Sequence, residues 1–213
     1  AVGGQHGLLI DGVGRRSSAG PAESFTPGLL GHGEGVARLN TPTRLPSTLS
    51  GERAVSVSAG GYHCLALTSS SAVWSWGQGG LGALGHGDLQ DQWQPTKIAA
   101  FAGQSVVAVS AGHEHSLALT ADGSVWSWGD GDYGKLGHGD TQDQLLPKKV
   151  EAFADQHVVA VSAGTLHSFA ITADGAVWSW GSGGEGRLGH GDGQHQLLPK
   201  KVEAFADQRV VAV

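Results

Sequence analysis

Between Ser110 and Val161 apolar and polar positions alternate in short runs separated by glycine. His115-Ser-Leu-Ala-Leu-Thr120 places His115, Leu117 and Leu119 on one face of a strand and Ser116, Ala118 and Thr120 on the other, because successive side chains of extended backbone point to opposite sides. Asp122-Gly123 predicts a hairpin turn after it, since glycine accepts the positive φ that such turns require. Val125-Trp-Ser-Trp128 reads as the next strand, with both indoles on one face. A glycine-rich loop from Gly129 to Asp140 leads to Pro147-Lys-Lys-Val150, an outer strand entered through proline, which donates no backbone hydrogen bond and favours strand starts and edges. Val158-Val-Ala-Val161 supplies a further β-branched run leading into the next segment. No helix-period segment of useful length interrupts these runs. The pattern is that of one four-stranded antiparallel propeller blade, and the chain reads as all-β.

The same grammar recurs with a period of 52 residues: His63, His115 and His167 are in step, as are Gly77, Gly129 and Gly181. A unit this short cannot bury a core alone, so the fold must come from units stacking on their neighbours. One repeat domain over residues 1–213 is expected, with units 1–57, 58–109, 110–161 and 162–213. The last two units agree at 40 of 52 positions, which duplication explains most simply. The first unit diverges: Gly3-Gly4-Gln5-His6 and Leu30-Gly-His-Gly-Glu34 keep the frame, while Val13 to Pro27, with Arg15 and Arg16, replaces the tryptophan strand, and this copy is expected to be degraded or looped out. The chain starts at Ala1 and stops at Val213 inside an apolar strand pattern, so it reads as an excerpt of something longer. Its frame resembles that of a propeller whose terminal strand pairs with the first blade.

Bulk chemistry narrows the function classes. A formal net charge of -6 argues against a surface built to neutralise phosphates, so direct nucleic-acid binding is not expected. Cys64 is the single cysteine and can form no internal disulfide, and neither an apolar run near membrane-spanning length nor a signal-peptide pattern is present. An intracellular protein, cytoplasmic or nuclear, without a membrane partner is the expectation.

The string from Val109 to Gly129, Val-Ser-Ala-Gly-His-Glu-His-Ser-Leu-Ala-Leu-Thr-Ala-Asp-Gly-Ser-Val-Trp-Ser-Trp-Gly, followed by Leu136-Gly-His-Gly-Asp140 and Pro147, resembles the repeat of the regulator of chromosome condensation family. The resemblance covers nearly the whole chain, weakly before residue 28. It implies a β-propeller, usually of seven blades. About four units are present, so a partial propeller or a small closed ring is expected. Members of the family also sense ultraviolet light through Gly-Trp-Arg-His-Thr at the histidine-bearing strand. Here the matching segments read Gly61-Tyr-His-Cys, His113-Glu-His-Ser and Thr165-Leu-His-Ser, without the sensing tryptophan.

Most conspicuous residues carry a structural reading. Each Trp-Ser-Trp pair is expected to pack between blades; burying one indole is worth roughly 4 to 6 kcal/mol as an upper figure. Gly129-Asp-Gly131-Asp-Tyr-Gly134 fits the Gly-x-Gly-x-x-Gly of dinucleotide sites, but a helix must follow such a motif, and Leu-Gly-His-Gly-Asp follows here. The repeated histidines His63, His115 and His167, and also His86, His138 and His190, are expected to bond backbone groups within their own blades. They are not expected to hold metal, although His113-Glu114-His115 could supply two ligands. Cys64 reads as a packing residue, and Asp88, Asp140 and Asp192 as turn-closing carboxylates. Lys148-Lys149 and Lys200-Lys201, each followed by a glutamate, read as a solvated edge. No nucleophile with a positioned base stands out, so neither catalysis, a cofactor nor a small-molecule substrate is expected.

Differences between the last two units point to where partners bind. They concentrate in the pair before the repeat histidine, His113-Glu114 against Thr165-Leu166, and in the glycine loop, where Asp130, Asp132, Tyr133 and Lys135 stand against Ser182, Gly184, Glu185 and Arg187. Propeller loops decorate the rims while the blades hold them rigid. Tyr62, His113, Glu114, Leu166, Asp132, Tyr133 and Glu185 are therefore the candidate partner contacts. The resemblance implies two function classes: a protein-interaction module like the repeat domains of HERC-type ubiquitin ligases, or a guanine-nucleotide exchange factor for a Ran-type small GTPase. Chromatin attachment fits poorly with the acidic balance. Self-association through open blade faces is a further expectation, because an open arc exposes apolar surface.

Overall fold

The structure, a computed structural model, describes residues 7–10, 16–21, 30–32, 38–44, 49–206 and 208–212. Four antiparallel sheets follow one another along the chain. The first contains β1 (Gly7–Ile10), β2 (Arg16–Pro21) and β3 (Arg38–Arg44). The second runs β4 (Ala54–Ala59), β5 (His63–Thr68), β6 (Val73–Gly77), β7 (Gln92–Lys97). The third repeats it as β8 (Val106–Ala111), β9 (His115–Thr120), β10 (Val125–Gly129) and β11 (Gln144–Lys149). The fourth does so again with β12 (Val158–Ala163), β13 (His167–Thr172), β14 (Val177–Gly181) and β15 (Gln196–Lys201). Strand order within each sheet is the order of the chain, which makes each one a meander.

The first unit, expected to be degraded or looped out, is reduced and not looped out, with three strands among the described residues of its sheet where the others have four. Arg16–Pro21, in the segment that replaces the tryptophan strand, still forms β2 and pairs on both sides, with Gly7 opposite Ala19 and Ser18 opposite Thr43. Extended backbone needs no tryptophan to pair, so the ladder survives where the side-chain signal does not. Gly3 to His6, Glu34 and the remainder of Val13 to Pro27 fall outside the described residues.

Blade-to-blade packing builds the core. Leu65, Leu67 and Val73 of the second sheet, with Ile98 and Phe101 that follow it, pack against Val106, Ala118 and Trp128 of the third. Phe101 meets Trp126 and Trp128 edge to face, at ring separations of 5.9 and 5.6 Å. Phe153 repeats the contact with Trp178 and Trp180, at 5.7 Å each. Edge-to-face geometry sets a positive ring edge on a negative ring face and favours this arrangement beyond burial alone. Placement of the Trp-Ser-Trp pairs between blades is thus as expected. Cys64 is buried in the joint that also holds Trp74 and Trp76.

Two local expectations change. The outer strand starts at Gln144, three residues ahead of Pro147, and the proline sits where the register between β10 and β11 shifts from Gly129–Gln144 to Ser127–Lys148. An irregular edge position leaves its missing N–H without consequence. Among the described residues Val210 to Ala212 form no strand, and Val210 N–H donates to the Gly175 carbonyl at 3.2 Å as Val158 N–H does to that of Gly123. The equivalent run, β12, is held by pairing with β13, and within these residues no histidine strand follows Val210. Among the described residues extensive packing joins only successive sheets, β1 to β4, β5 to β8 and β9 to β12, so they form an arc.

The Asp-Gly turn uses glycine as expected, with Gly123 at φ 83° and Gly175 at φ 88°. In the second sheet the same corner is Ser71 at φ 64°, where a Cβ crowds the backbone. Gly123 also lies under His157, whose Nδ1 would stand 2.4 Å from an added Cβ; the matching pair in the second sheet is Ser71 and Ser105. Replacing Ser71 with Gly is expected to stabilise the protein by about 1 kcal/mol, measured as a higher urea midpoint with unchanged slope.

Candidate protein-interaction rim

Each of the three four-stranded sheets turns at the same end in two loops, a short one after the inner strand and a long one after the tryptophan strand. The short loops, residues 60–62, 112–114 and 164–166, run blade to blade: Gly61 N–H donates to the Gly112 carbonyl at 3.1 Å and His113 N–H to the Gly164 carbonyl at 3.3 Å. A Cβ on Gly60 would stand 2.2 Å from the Gly112 carbonyl oxygen, so only glycine permits that approach. Beneath lie the repeat histidines. His63 Nε2 meets Ser116 Oγ of the next blade at 2.7 Å, and His115 Nε2 meets Ser168 Oγ at 2.9 Å. Ser116 and Ser168 in turn donate to the carbonyls of Ala83 and Lys135. These histidines therefore tie blades together through side chains, whereas the repeat pattern suggested backbone bonds within a blade. The second set does stay within its blade but bonds a hydroxyl: His86, His138 and His190 contact Ser75, Ser127 and Ser179 at 2.9 to 3.0 Å.

Burial holds His115 well below the usual imidazole range, with the Lys135 charge adding to the effect, and it pushes His138 down to about 4. A ring that resists protonation when folded, but takes a proton near pH 6.5 when unfolded, makes the unfolded chain bind more protons below that pH. Its contribution is complete above about 6.5 and is lost as pH falls from there towards about 4. Urea midpoints are expected to drop between pH 7.5 and 5.0, and His138→Gln to shrink the drop.

The long loops share a different device. Gln78, Asp130 and Ser182 N–H groups donate to the carbonyls of Tyr62, Glu114 and Leu166 at 2.8 to 3.0 Å, which fastens each long loop to the short one. A single 3-10 turn follows in each, where the dinucleotide motif would demand a helix. The middle residue of that turn is left-handed without being glycine: Leu81 at φ 57°, Tyr133 at φ 60°, Glu185 at φ 59°. Asp91 and Asp143 carboxylates accept the Gly79 and Gly131 N–H at 2.9 Å, and His195 Nδ1 accepts Gly183 N–H at 3.1 Å. Asp88, Asp140 and Asp192 each accept the N–H two residues on, as turn-closing carboxylates do.

All seven candidate contacts lie at this end. Tyr62 and His113 meet edge to face at 4.8 Å, and His113 Nδ1 is 3.5 Å from a Glu114 carboxylate oxygen. Tyr133 reaches the next blade, its ring 5.0 Å from that of His195. Asp132 and Glu185 are exposed, and Leu166 is half-buried. Two varying residues belong to the interior instead: the Lys135 side chain is wholly buried against Asp130. Leu81 was missed because it differs from Tyr133 and Glu185 only when the second unit is included. Its signal was the place between Gly80 and Gly82. Among the described residues no group of three or more His, Cys, Asp or Glu is arranged to hold a metal ion, and no helix is long and apolar enough to cross a membrane.

The RCC1-like domain model matches residues 1–213. The chain belongs to the RCC1-like domain family. This RCC1-like domain is 40% identical over 213 residues to the human E3 ubiquitin-protein ligase HERC2, covering 99% of this chain and 4% of that protein. It is 41% identical over 187 residues to the Arabidopsis thaliana ultraviolet-B receptor UVR8, covering 87% of this chain and 42% of the receptor. Among solved structures, yeast RCC1 (Prp20) bound to Kap60 superposes with a TM-score of 0.82 at 25% identity, over 99% of this chain and 50% of that one. Human WBSCR16 superposes with a TM-score of 0.83 at 26% identity, over 95% and 52%. The RCC1-like domain described here thus spans a small part of HERC2 and about half of the solved propellers it matches.

Proposed function

We propose that this RCC1-like domain is a non-catalytic protein-interaction segment of a larger regulatory protein, of the ubiquitin-ligase scaffold type, working inside the cell in cytoplasm or nucleus. One observation carries the reading: most of the residues that vary between the last two, near-identical blades lie in the loops of one rim, which backbone bonds fasten over a histidine–serine joint that does not vary between them. Rigid blades with variable loops suit recognition, because the loops lose little freedom on binding. Similarity to HERC2 supports the scaffold setting. A photo-crosslinking residue at position 133, set against one at Asp122 on the opposite end, tests it in the full-length protein. Crosslinks to other proteins from position 133 alone are expected; equal yields, or none, would overturn the reading.

The second reading is guanine-nucleotide exchange on a Ran-type small GTPase. It is favoured by the superposition on Prp20, a relative described for its binding to Gsp1p and histones. Accelerated release of a fluorescent guanine nucleotide from such a GTPase would establish it, and an unchanged rate would end it. Self-association belongs here as well. Phe205 is 40% exposed, whereas its counterparts Phe101 and Phe153 are at 4% and 2% beneath the tryptophans of a following blade. Light scattering over a concentration series of the 213-residue chain is expected to show growing mass.

A further inference from the structure

Charge is divided unevenly between the two ends of the arc. At the loop rim Asp88, Asp91, Asp132, Asp143, Glu185 and Asp192 are exposed. Across the last three sheets, residues 54–201, the lysine and arginine at this end are Lys135, buried against Asp130, and Arg187, which donates to the Gly184 carbonyl at 2.8 Å and lies 3.4 Å from Glu185; in the first sheet Arg38 stands at the corresponding end of β3, opposite Pro21. The lysines of the outer strands, Lys97, Lys148, Lys149, Lys200 and Lys201, sit at the strand ends remote from this rim. Across the last three sheets the rim is therefore an acidic field whose own lysine and arginine are already engaged.

Apolar surface is set into that field at each joint. Leu145 and Leu146 lie against Gly82 and Gly87 of the preceding blade, and Leu197 and Leu198 against Gly134 and Gly139. Beside them stand the left-handed residues Leu81 and Tyr133, 39% and 42% exposed. Aliphatic and aromatic side chains held out by unfavourable backbone on a rigid turn are poor choices for solubility and good ones for an anchor contact.

We infer that this rim docks a basic protein segment carrying apolar anchors, with Lys or Arg facing the carboxylates and hydrophobic side chains seated at the Leu81–Leu145 and Tyr133–Leu197 joints. The inference rests on the protein-interaction reading and adds the chemistry of the partner. A phosphate-rich ligand or an acidic peptide would meet like charge here. The apolar anchors also distinguish the proposed partner from a polycation, whose attraction would be electrostatic only and would vanish with salt.

Labelled peptides of alternating Lys and Leu, Lys and Ser, or Glu and Leu serve as probes, by fluorescence anisotropy on the 213-residue chain at pH 7.5. The Lys/Leu peptide is expected to bind at least about tenfold tighter than either other peptide. Asp132→Asn, Glu185→Gln and Asp192→Asn together weaken it about tenfold in low salt and less in high salt. Tyr133→Asn, which suits the left-handed backbone, weakens it at both. Asp122→Asn with Asp174→Asn, on the far end, leaves it within about twofold. Equal binding of the Glu/Leu peptide, indifference to the rim variants, or absence of binding overturns the basic partner. Should the peptides fail while position 133 still crosslinks a protein, the interaction reading stands and only this inference falls.

Discussion

Lys135→Ala should lower the stability of the folded chain by about 3 to 5 kcal/mol, far more than its loss of side-chain volume would suggest. The ammonium is wholly buried and paired to Asp130, so its removal leaves a carboxylate with little water and no countercharge. The other blades show what replaces the pair: Gln78 with Ala83, and Ser182 with Arg187. Asp130→Gln combined with Lys135→Ala is therefore expected to recover most of the loss, since a neutral pair needs no desolvated charge. Urea unfolding of the four members of the cycle decides the matter. Equal losses in the single and the double variant would mean that packing, and not charge, is what Lys135 supplies.

The second large effect is expected at Trp128. Its indole is fully buried, meets Phe101 edge to face, and donates from Nε1 to the Ala83 carbonyl at 2.9 Å. Truncation to alanine removes the ring contact, the hydrogen bond and the filling of the joint together, a loss of about 3 to 5 kcal/mol. Trp128→Phe keeps the apolar contact and leaves Ala83 its bond from Ser116, so it is expected to cost about half as much. Since the indole belongs to the joint between two blades, thermal unfolding of Trp128→Ala should also broaden, as neighbouring blades cease to melt together.

Much of this arrangement is legible in the chain because strand periodicity and a fixed repeat reinforce one another. Alternation in His115–Thr120 and the spaced indoles of Val125–Gly129 predict strands that the structure places at those residues. What the pattern misses are relations between units. Nothing local shows that the histidine of one blade seeks the serine of the next, because that pairing exists only once the blades stack. Arg16–Pro21 was missed for the opposite reason: pairing is a backbone property, and a weak side-chain pattern hides it. The rim was legible as variation, without its charge or shape. Lys135 and Asp130 vary like rim residues yet lie inside, a distinction that requires knowing which way each loop residue faces.

The bonds from His63 to Ser116 and from His115 to Ser168 span the same 53 residues of chain. Units 110–161 and 162–213 therefore each carry both halves of such a joint, the histidine on one side and the serine on the other, whereas unit 58–109 has Cys64 at the serine position. A gene segment copied in tandem would arrive with its coupling to both neighbours already formed, and no compensating change would be needed for the copy to fold. The resulting freedom lies mainly in the loops, which can diverge one blade at a time while the histidine–serine joint stays as inherited.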